Sequence, residues 1–92
     1  MEKTITHDPV RNRFEMQMDG FTAYVRYNLQ EGVLNILSTQ VPHELEGQGI
    51  ASALTQHILE YAREKGLKII PSCSFTAVYL RRHPEYGELS VY

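Results

Sequence analysis

A glycine-containing loop ahead of a helical pattern is the segment best suited to bind a ligand. It spans residues 41–52 and reads Val-Pro-His-Glu-Leu-Glu-Gly-Gln-Gly-Ile-Ala-Ser, with Gly47 and Gly49 one residue apart. Glycines there let the backbone approach a ligand closely and leave the unpaired N–H groups of the helix start pointing outward, which favours an anion such as a pyrophosphate. The loop contains no Lys or Arg, so any phosphate contact would rest on backbone amides. Alternatively, the glycines only tighten a turn between a strand and a helix.

Cys73 is the second candidate for chemistry. It follows Pro71-Ser72 and precedes a predicted helix start, where the positive end of the helix dipole lowers the pKa of a thiol. A thiolate at this position could accept an acyl group before passing it on. The alternative is inert packing, because free cysteines are among the most buried residues.

Composition excludes several classes of protein. The 92 residues are 42% apolar and 22% charged, which predicts one folded domain covering residues 1–92. A net charge of −2 argues against nucleic-acid or anionic-membrane partners. A single cysteine excludes a disulfide scaffold and zinc-finger spacing, so we expect no metal. No signal peptide or membrane-spanning stretch is visible, which predicts a cytoplasmic protein.

Alternating residues predict two β-hairpins in the first half of the chain. Strands Val10–Met18 and Phe21–Leu29 flank Asp19-Gly20, a preferred pair for a two-residue turn, and Glu31-Gly32 can turn the chain again. Each turn places apolar residues opposite apolar residues. The predicted pairs are Met18 with Phe21, Met16 with Ala23, Phe14 with Val25, Leu29 with Leu34 and Tyr27 with Ile36.

The second half predicts a β-α-β crossover followed by a further helix. Strand Val33–Val41 is apolar on both faces, which predicts a central strand covered on both sides. A helix over 49–65 and a strand over 67–70 follow, and we expect the two strands to run parallel. A shorter helix begins at Ser72 or Ser74 and is stopped by His83-Pro84.

The loop and its surroundings resemble motif A of the GNAT superfamily of acetyl-CoA-dependent N-acetyltransferases. Residues 46–51, Glu-Gly-Gln-Gly-Ile-Ala, align with the signature Q/R-x-x-G-x-G/A, although Glu46 stands where Gln or Arg is usual. The run from Ile69 to Tyr79 is similar to the small, stand-alone NATD-like branch, which has a matching cysteine. The resemblance implies an α/β (α+β) domain with a minimal GNAT fold. Its sheet would be mostly antiparallel, with a central β-α-β crossover and a V-shaped splay between strands 33–41 and 67–70.

The resemblance also implies roles for individual residues. The main chain of Thr39–Val41 would pair with the pantetheine arm, the amides of 47–52 would hold the pyrophosphate, and Ser74 would contact the pantetheine. Tyr79 would protonate the departing thiolate, and Cys73 is the second predicted catalytic residue. The predicted cofactor-binding residues are Thr39, Gln40, Val41, Glu46, Gly47, Gln48, Gly49, Ile50, Ala51, Ser52 and Ser74.

Three functions remain open at this point. The resemblance favours an N-acetyltransferase that uses acetyl-CoA and an unidentified amine acceptor, by direct transfer or through Cys73. A non-enzymatic acyl-CoA-binding module and a purely structural domain are the alternatives. His43, Glu44 or Glu46 could act as a base, and Arg81-Arg82-His83 could reach the 3′-phosphate of CoA, although solvated side chains explain all of them. We expect a monomer or weak dimer without nucleic-acid or membrane partners.

Overall fold

The computed structural model describes residues 4–91; residues 1–3 and 92 of the predicted domain lie outside the described residues. Five strands form one sheet in the order β1-β2-β3-β4-β5, in which only β4 and β5 run parallel. The strands are β1 (Ile5–Asp8), β2 (Arg13–Met18), β3 (Phe21–Gln30), β4 (Val33–Gln40) and β5 (Lys68–Pro71). The helices are α1 (Ile50–Lys65) and α2 (Ser74–Arg82), with 3₁₀ turns at His43–Leu45 and Pro84–Leu89. The mostly antiparallel sheet with a β-α-β crossover confirms the predicted fold class.

Both predicted hairpins are present in the predicted register. Met18 pairs with Phe21 across the first turn, and Leu29 pairs with Leu34 across the second. Each turn has its first residue, Asp19 or Glu31, at positive φ and a glycine at φ 80° behind it. Positive φ at both central positions is the geometry that a tight hairpin needs. The turn chemistry and the alternation therefore agree.

The first predicted strand, Val10–Met18, is confirmed from Arg13 to Met18 but does not include residues 10–12, and an earlier edge strand was missed. Val10 is 91% exposed and lies in the turn before β2, and Asn12 has φ 56°, so the alternation of residues 10–12 is not that of a strand. The edge strand β1 lies earlier, at Ile5–Asp8, and pairs antiparallel with β2. Ile5 packs against the core, and His7 on the same face stays exposed while its ring stacks on Phe14 at 4.2 Å between centroids. The strand has one apolar residue and an exposed histidine on its core-side face, so an analysis based on apolar alternation did not detect it.

Strand β4 is covered fully on one face only, which corrects the predicted coverage of both. Leu34 and Ile36 are completely buried, whereas Val33, Asn35 and Leu37 on the other side are partly exposed. The second face of β4 is therefore partly open to solvent, and its apolar residues did not require a complete covering layer.

Strands β4 and β5 separate part-way along their length. Their pairing ends at Ile36 and Pro71, after which the Cys73 N–H donates to the Ile36 carbonyl at 2.8 Å. Strand β4 continues to Gln40 with pairing to β3 alone. Leu37 is an extra residue in that ladder, since consecutive pairs join Tyr27 to Ile36 and Arg26 to Ser38. This is the splay expected between the two strands, and the bulge adds local bending.

Helix α1 covers the core face of the sheet. Ile50, Leu54, Ile58 and Ala62 are buried on one side, as the helical spacing predicts. Gly66 ends the helix with φ 69°, and its N–H donates to carbonyls of the last turn. No helix among residues 4–91 combines the length and the apolar character needed to cross a lipid bilayer.

Candidate functional site

The start of α1 has no side-chain cap, and its residues line a cavity. Gly49 is the N-cap residue with φ 73°, Gly47 has φ 80°, and no side chain caps the helix. A Cβ added at Gly47 would meet no atom within 4 Å, so the backbone is open to approach from that side. The cavity has a volume of about 230 Å³. It is lined by Val41, Leu45, Glu46, Gly47, Gly49, Ile50, Ala51, Ser52 and Phe75.

The charges beside this cavity are negative or titratable. Glu46 lines it, and its Oε2 lies 3.5 Å from His43 Nδ1. The His43 side chain is 91% exposed, which agrees with a solvated loop histidine rather than a buried base. Attraction for an anion here therefore rests on the helix start itself and on backbone dipoles.

Cys73 lies where β4 and β5 separate. It is the N-cap of α2 and is only 8% exposed, and its Sγ lies 3.5 Å from Thr39 Oγ1. The predicted pantetheine-binding strand and the predicted nucleophile are thus in contact. Ser74, the first residue of α2, is exposed beside them.

The pKa of the Cys73 thiol is lowered by its surroundings. Burial by itself raises it, but the Thr39 hydroxyl, the backbone of Thr76 and Phe75 and the Thr76 hydroxyl together outweigh that effect. The backbone N–H groups of Thr76 and Phe75 act as hydrogen-bond donors toward the sulfur, and the positive end of the α2 dipole acts in the same direction. The site therefore favours a thiolate, the nucleophilic form of cysteine.

Thr76 is a component that the sequence analysis missed. Its side chain is completely buried, and its Oγ1 has no hydrogen-bond partner of good geometry among the described residues. It lies three residues after Cys73, so both side chains lie on the same side of α2. The spacing Cys-x-x-Thr at a helix start is the signal that could have revealed it.

Tyr79 lies in a second cavity and not beside Cys73. Six residues along a helix turn a side chain by about 120° relative to the starting position, so the two point in different directions. The Tyr79 ring stacks on His83 at 3.9 Å between centroids. Burial, followed by Glu85 and Glu60, raises the pKa of its hydroxyl. The cavity of about 260 Å³ is lined by Ser52, Phe75, Val78, Tyr79, Arg82 and His83.

The structure brings most of the predicted cofactor-binding residues together. Seven of them line the first cavity: Val41, Glu46, Gly47, Gly49, Ile50, Ala51 and Ser52. Gln48 is exposed in the same loop, and Gln40 is exposed at the end of β4. Within residues 4–91 no three side chains of His, Cys, Asp or Glu are placed to hold a metal ion. Phe75, which lines both cavities, was not predicted as a site residue.

Comparison with known proteins identifies the family. Residues 13–89 match the model of a GCN5-related N-acetyl-transferase family. The chain belongs to this family. The match begins at β2 and extends past α2, so it includes the glycine loop, Cys73 and Tyr79. The protein is therefore a GNAT acetyltransferase by family, as the resemblance implied.

Individual relatives agree with this assignment. The NATD1 proteins of Mus musculus and Homo sapiens are each 26% identical over 83 residues, which cover 87% of this chain and 76% and 74% of theirs. A GCN5-like protein from Staphylococcus aureus, proposed to be an N-acetyltransferase, has a similar solution structure. The two sequences are 33% identical, and the structures superpose with a TM-score of 0.76. The match covers 96% of this chain and 87% of the relative. The minimal GNAT fold is thus shared with a solved GNAT relative.

Proposed function

We propose that this GNAT acetyltransferase takes its acetyl group from acetyl-CoA and transfers it to an amine. The observation that carries the proposal is the uncapped start of α1, which opens onto a cavity directly after the splayed strand β4. A pyrophosphate at that helix start would accept hydrogen bonds from the amides of residues 47–52. The residues present therefore fit the cofactor.

The acyl arm has a path along β4. Beyond Ile36 the strand has no pairing to β5, so the main chain of Thr39–Val41 offers an edge to which pantetheine amides can bond. Thr39 contacts Cys73 at the base of this opening. A pantetheine arm that follows the edge from the glycine loop would bring its thioester toward the Cys73 sulfur.

Cys73 would act as the nucleophile in a two-step transfer. Its thiolate attacks the acetyl carbonyl, a new S–C bond forms at Cys73, and the bond to the CoA sulfur breaks, so that CoA leaves as a thiol after protonation. An amine then attacks the acetyl-cysteine and loses a proton to water or a base, the S–C bond at Cys73 breaks, and the Cys73 thiolate is regenerated. Each step exchanges one acyl bond for another and needs no oxidant or metal.

Direct transfer from acetyl-CoA to the amine is the competing mechanism. It predicts full transfer activity in a Cys73→Ala variant and no acetyl adduct on the native protein. The covalent route predicts a gain of one acetyl group on Cys73 in intact-mass spectra after mixing with acetyl-CoA, and loss of transfer in Cys73→Ala. Cys73→Ser serves as a control of similar size, since its hydroxyl ionises far less readily.

Tyr79 was predicted to donate a proton to the leaving CoA thiolate, but its ring lies in the second cavity and not beside Cys73, so the geometry does not support this role. The raised pKa of Tyr79 keeps its hydroxyl protonated at neutral pH. If it donates that proton, Tyr79→Phe lowers kcat while the affinity for CoA changes little. A parallel loss of affinity would place the ring against the cofactor instead.

Thermal melts with acetyl-CoA and CoA test the proposal. A ligand at a hundred times its Kd stabilises the native state by about 2.7 kcal/mol, which is a shift of several degrees for a small domain. A Gly49→Arg variant should lose the shift because the side chain enters the cavity. Gly66→Arg is the matched control, since it also replaces a glycine at positive φ, at the other end of α1. No shift with the native protein at millimolar ligand would overturn the proposal.

A non-enzymatic acyl-CoA-binding module is the alternative that these residues also allow. Enzyme and module should differ in the fate of the thioester. An acetyltransferase releases free CoA when amines are supplied, whereas a binding module protects acetyl-CoA from hydrolysis. Thiol detection with a panel of primary amines distinguishes the two. The cytoplasmic location and the monomeric or weakly dimeric state stay predictions.

A further inference from the structure

Two neighbouring cavities beside the glycine loop share part of their lining, and together they are called the groove. Ser52 of α1 and Phe75 of α2 line both of them. From the loop, the groove therefore extends along α2, in addition to the path along β4 that leads toward Cys73. A ligand held by its phosphates at the start of α1 can send one arm in each direction.

The charge in this groove lies at the end far from the loop. Among the described residues that line the two cavities, Glu46 is the carboxylate and Arg82 is the permanently charged cation. Arg82 is exposed and forms no ion pair within residues 4–91, so its guanidinium is available to a ligand. A phosphate at this end would gain a bidentate partner that the loop does not offer.

Aromatic surface lies between the loop and Arg82. Phe75 is 38% exposed although it borders two cavities, and the stacked rings of Tyr79 and His83 form part of the wall. Arg82 is seven residues beyond Phe75, about 10 Å along the helix axis, which is the scale of a nucleoside with one phosphate. Exposed aromatic rings of this kind pack against nucleobases.

We propose that the α2 side of the groove binds the 3′-phosphorylated adenosine of CoA, with Arg82 at the 3′-phosphate and Phe75 against the base. This inference rests on the proposed use of acetyl-CoA and adds the residues that select the nucleotide end. It makes Arg82 a specificity-determining residue that distinguishes CoA from 3′-dephospho-CoA. Cys73 and the acyl arm are not involved in that distinction.

Calorimetric titration with CoA and 3′-dephospho-CoA tests the assignment. The native protein should bind CoA about fivefold more tightly, which is the size expected of one exposed charge pair. Arg82→Ala should bind both ligands equally. Arg81→Ala is the matched control, because Arg81 lines a different cavity with Pro71 and Gly87, and it should keep the native preference.

Binding by a Phe75→Leu variant provides a second, independent test of the adenosine site. The variant should bind CoA more weakly but bind 4′-phosphopantetheine, which lacks the adenosine, as well as the native protein does. Weakening of both ligands to the same degree would place Phe75 against the pantetheine and overturn its assignment to the base.

The outcomes separate this inference from the proposed function. If native protein and Arg82→Ala both bind CoA and 3′-dephospho-CoA with equal affinity, the nucleotide site is wrong although acetyl-CoA use stands. If neither ligand binds the native protein, the proposed function itself fails and the inference falls with it. A preference that is lost in Arg81→Ala and kept in Arg82→Ala would move the phosphate to the opposite side of α2.

Discussion

The hydroxyl of Thr39 lies 3.5 Å from the sulfur of Cys73, which joins β4 to the start of α2 across the gap between β4 and β5. The two residues are 34 positions apart in the chain. The strand that would bind the pantetheine arm thereby also tunes the thiol that would receive its acetyl group. The contact makes the reactivity of Cys73 dependent on β4.

Replacing Thr39 by valine should make Cys73 less reactive. The variant keeps the shape of the side chain but removes one of the groups that lower the pKa of the thiol. Because one weak hydrogen bond to the thiolate is lost, iodoacetamide should alkylate Cys73 about threefold more slowly at pH 7.5. Thr39→Ser should restore the native rate. An unchanged rate in Thr39→Val would show that the contact does not stabilise the thiolate.

Gly47→Ala and Gly66→Ala should separate strain from binding. Both glycines have positive φ, and an added Cβ would meet no atom within 4 Å at either position. Each variant should therefore lose about 1 kcal/mol of unfolding free energy from backbone strain alone. Only Gly47→Ala should also weaken CoA binding, because its methyl group occupies space at the phosphate-binding loop. Equal CoA affinities in the two variants would count against the loop as the cofactor site.

Glu46→Gln should strengthen CoA binding. The change removes a negative charge from the lining of the first cavity and gives the residue usual in the resembling motif. Because Glu46 is exposed, the gain should be small, on the order of 0.5 kcal/mol, and should shrink as salt increases. Glu44→Gln, which removes a charge from the same loop outside the cavity lining, is the control. A salt-independent gain would point to a change in loop shape.

Tyr86→Phe should destabilise the protein. The buried Tyr86 hydroxyl donates to Glu60 Oε2 at 2.5 Å and fastens the last 3₁₀ turn to α1. Loss of a hydrogen bond to a carboxylate predicts a decrease of about 1.5 kcal/mol in urea unfolding at pH 7. Glu60→Gln, which keeps an acceptor, should show a smaller decrease. An unfolding free energy in Tyr86→Phe equal to that of the native protein would show that this hydrogen bond does not stabilise the fold.

The same bond predicts an alkaline limit to stability. The hydrogen bond to Glu60, with burial and the Glu60 charge, raises the pKa of Tyr86 to about 12. A raised folded-state pKa means that the fold favours the protonated tyrosine. The stabilisation that Tyr86 provides is therefore complete below pH 10 and is lost as the pH rises toward 12. Absorbance at 295 nm should show a tyrosine that ionises at about pH 12, and Tyr86→Phe should remove that phase.

His7 should make the protein less stable in mild acid. Burial, opposed by Asp8 and assisted by His57, lowers its pKa, and its ring also faces Tyr61 and Tyr27. A group whose pKa is lower in the folded state stabilises the protein fully above pH 6.5, and that stabilisation is lost as the pH falls through the folded-state pKa. The native unfolding free energy should therefore decrease from pH 7 to pH 5.

His7→Phe keeps a ring in the stack and removes the titration. The variant also deprives the Tyr27 hydroxyl of its partner, which lowers the unfolding free energy by the same amount at every pH. The quantity to compare is therefore the change in unfolding free energy between pH 7 and pH 5. The variant should show a shallower decrease than the native protein. Identical slopes would assign the acid sensitivity to another group.

The hairpins were predictable because two local signals coincided. Asp19-Gly20 and Glu31-Gly32 specify tight turns, and the alternation around them fixes the register. Strand β1 was not predictable from the same logic, since Ile5 is its one apolar residue and the exposed His7 contacts Phe14 through ring stacking. Periodicity detects hydrophobicity and not the geometry of a polar ring.

The site was predictable in its local parts and not in its assembly. The glycine spacing indicated the helix start, and the position of Cys73 before α2 indicated a lowered pKa. The Thr39 contact depends on where the parallel pairing of β4 and β5 stops, which is set by packing of distant segments. The second cavity likewise depends on how α2 lies beside α1, so Phe75 could not be recognised from its neighbours in the chain.

The missing side-chain cap at Gly49 has a consequence for dynamics as well as for binding. A helix whose first N–H groups lack a side-chain cap opens from that end, so amide hydrogens of residues 50–52, which precede the first bond from Ala53 N–H to the Gly49 carbonyl, should exchange with solvent faster than those in the middle of α1. A bound pyrophosphate would take the place of the absent cap. Saturation with CoA should then slow exchange in this first turn above all, and the cofactor would complete the secondary structure that the sequence leaves unfinished.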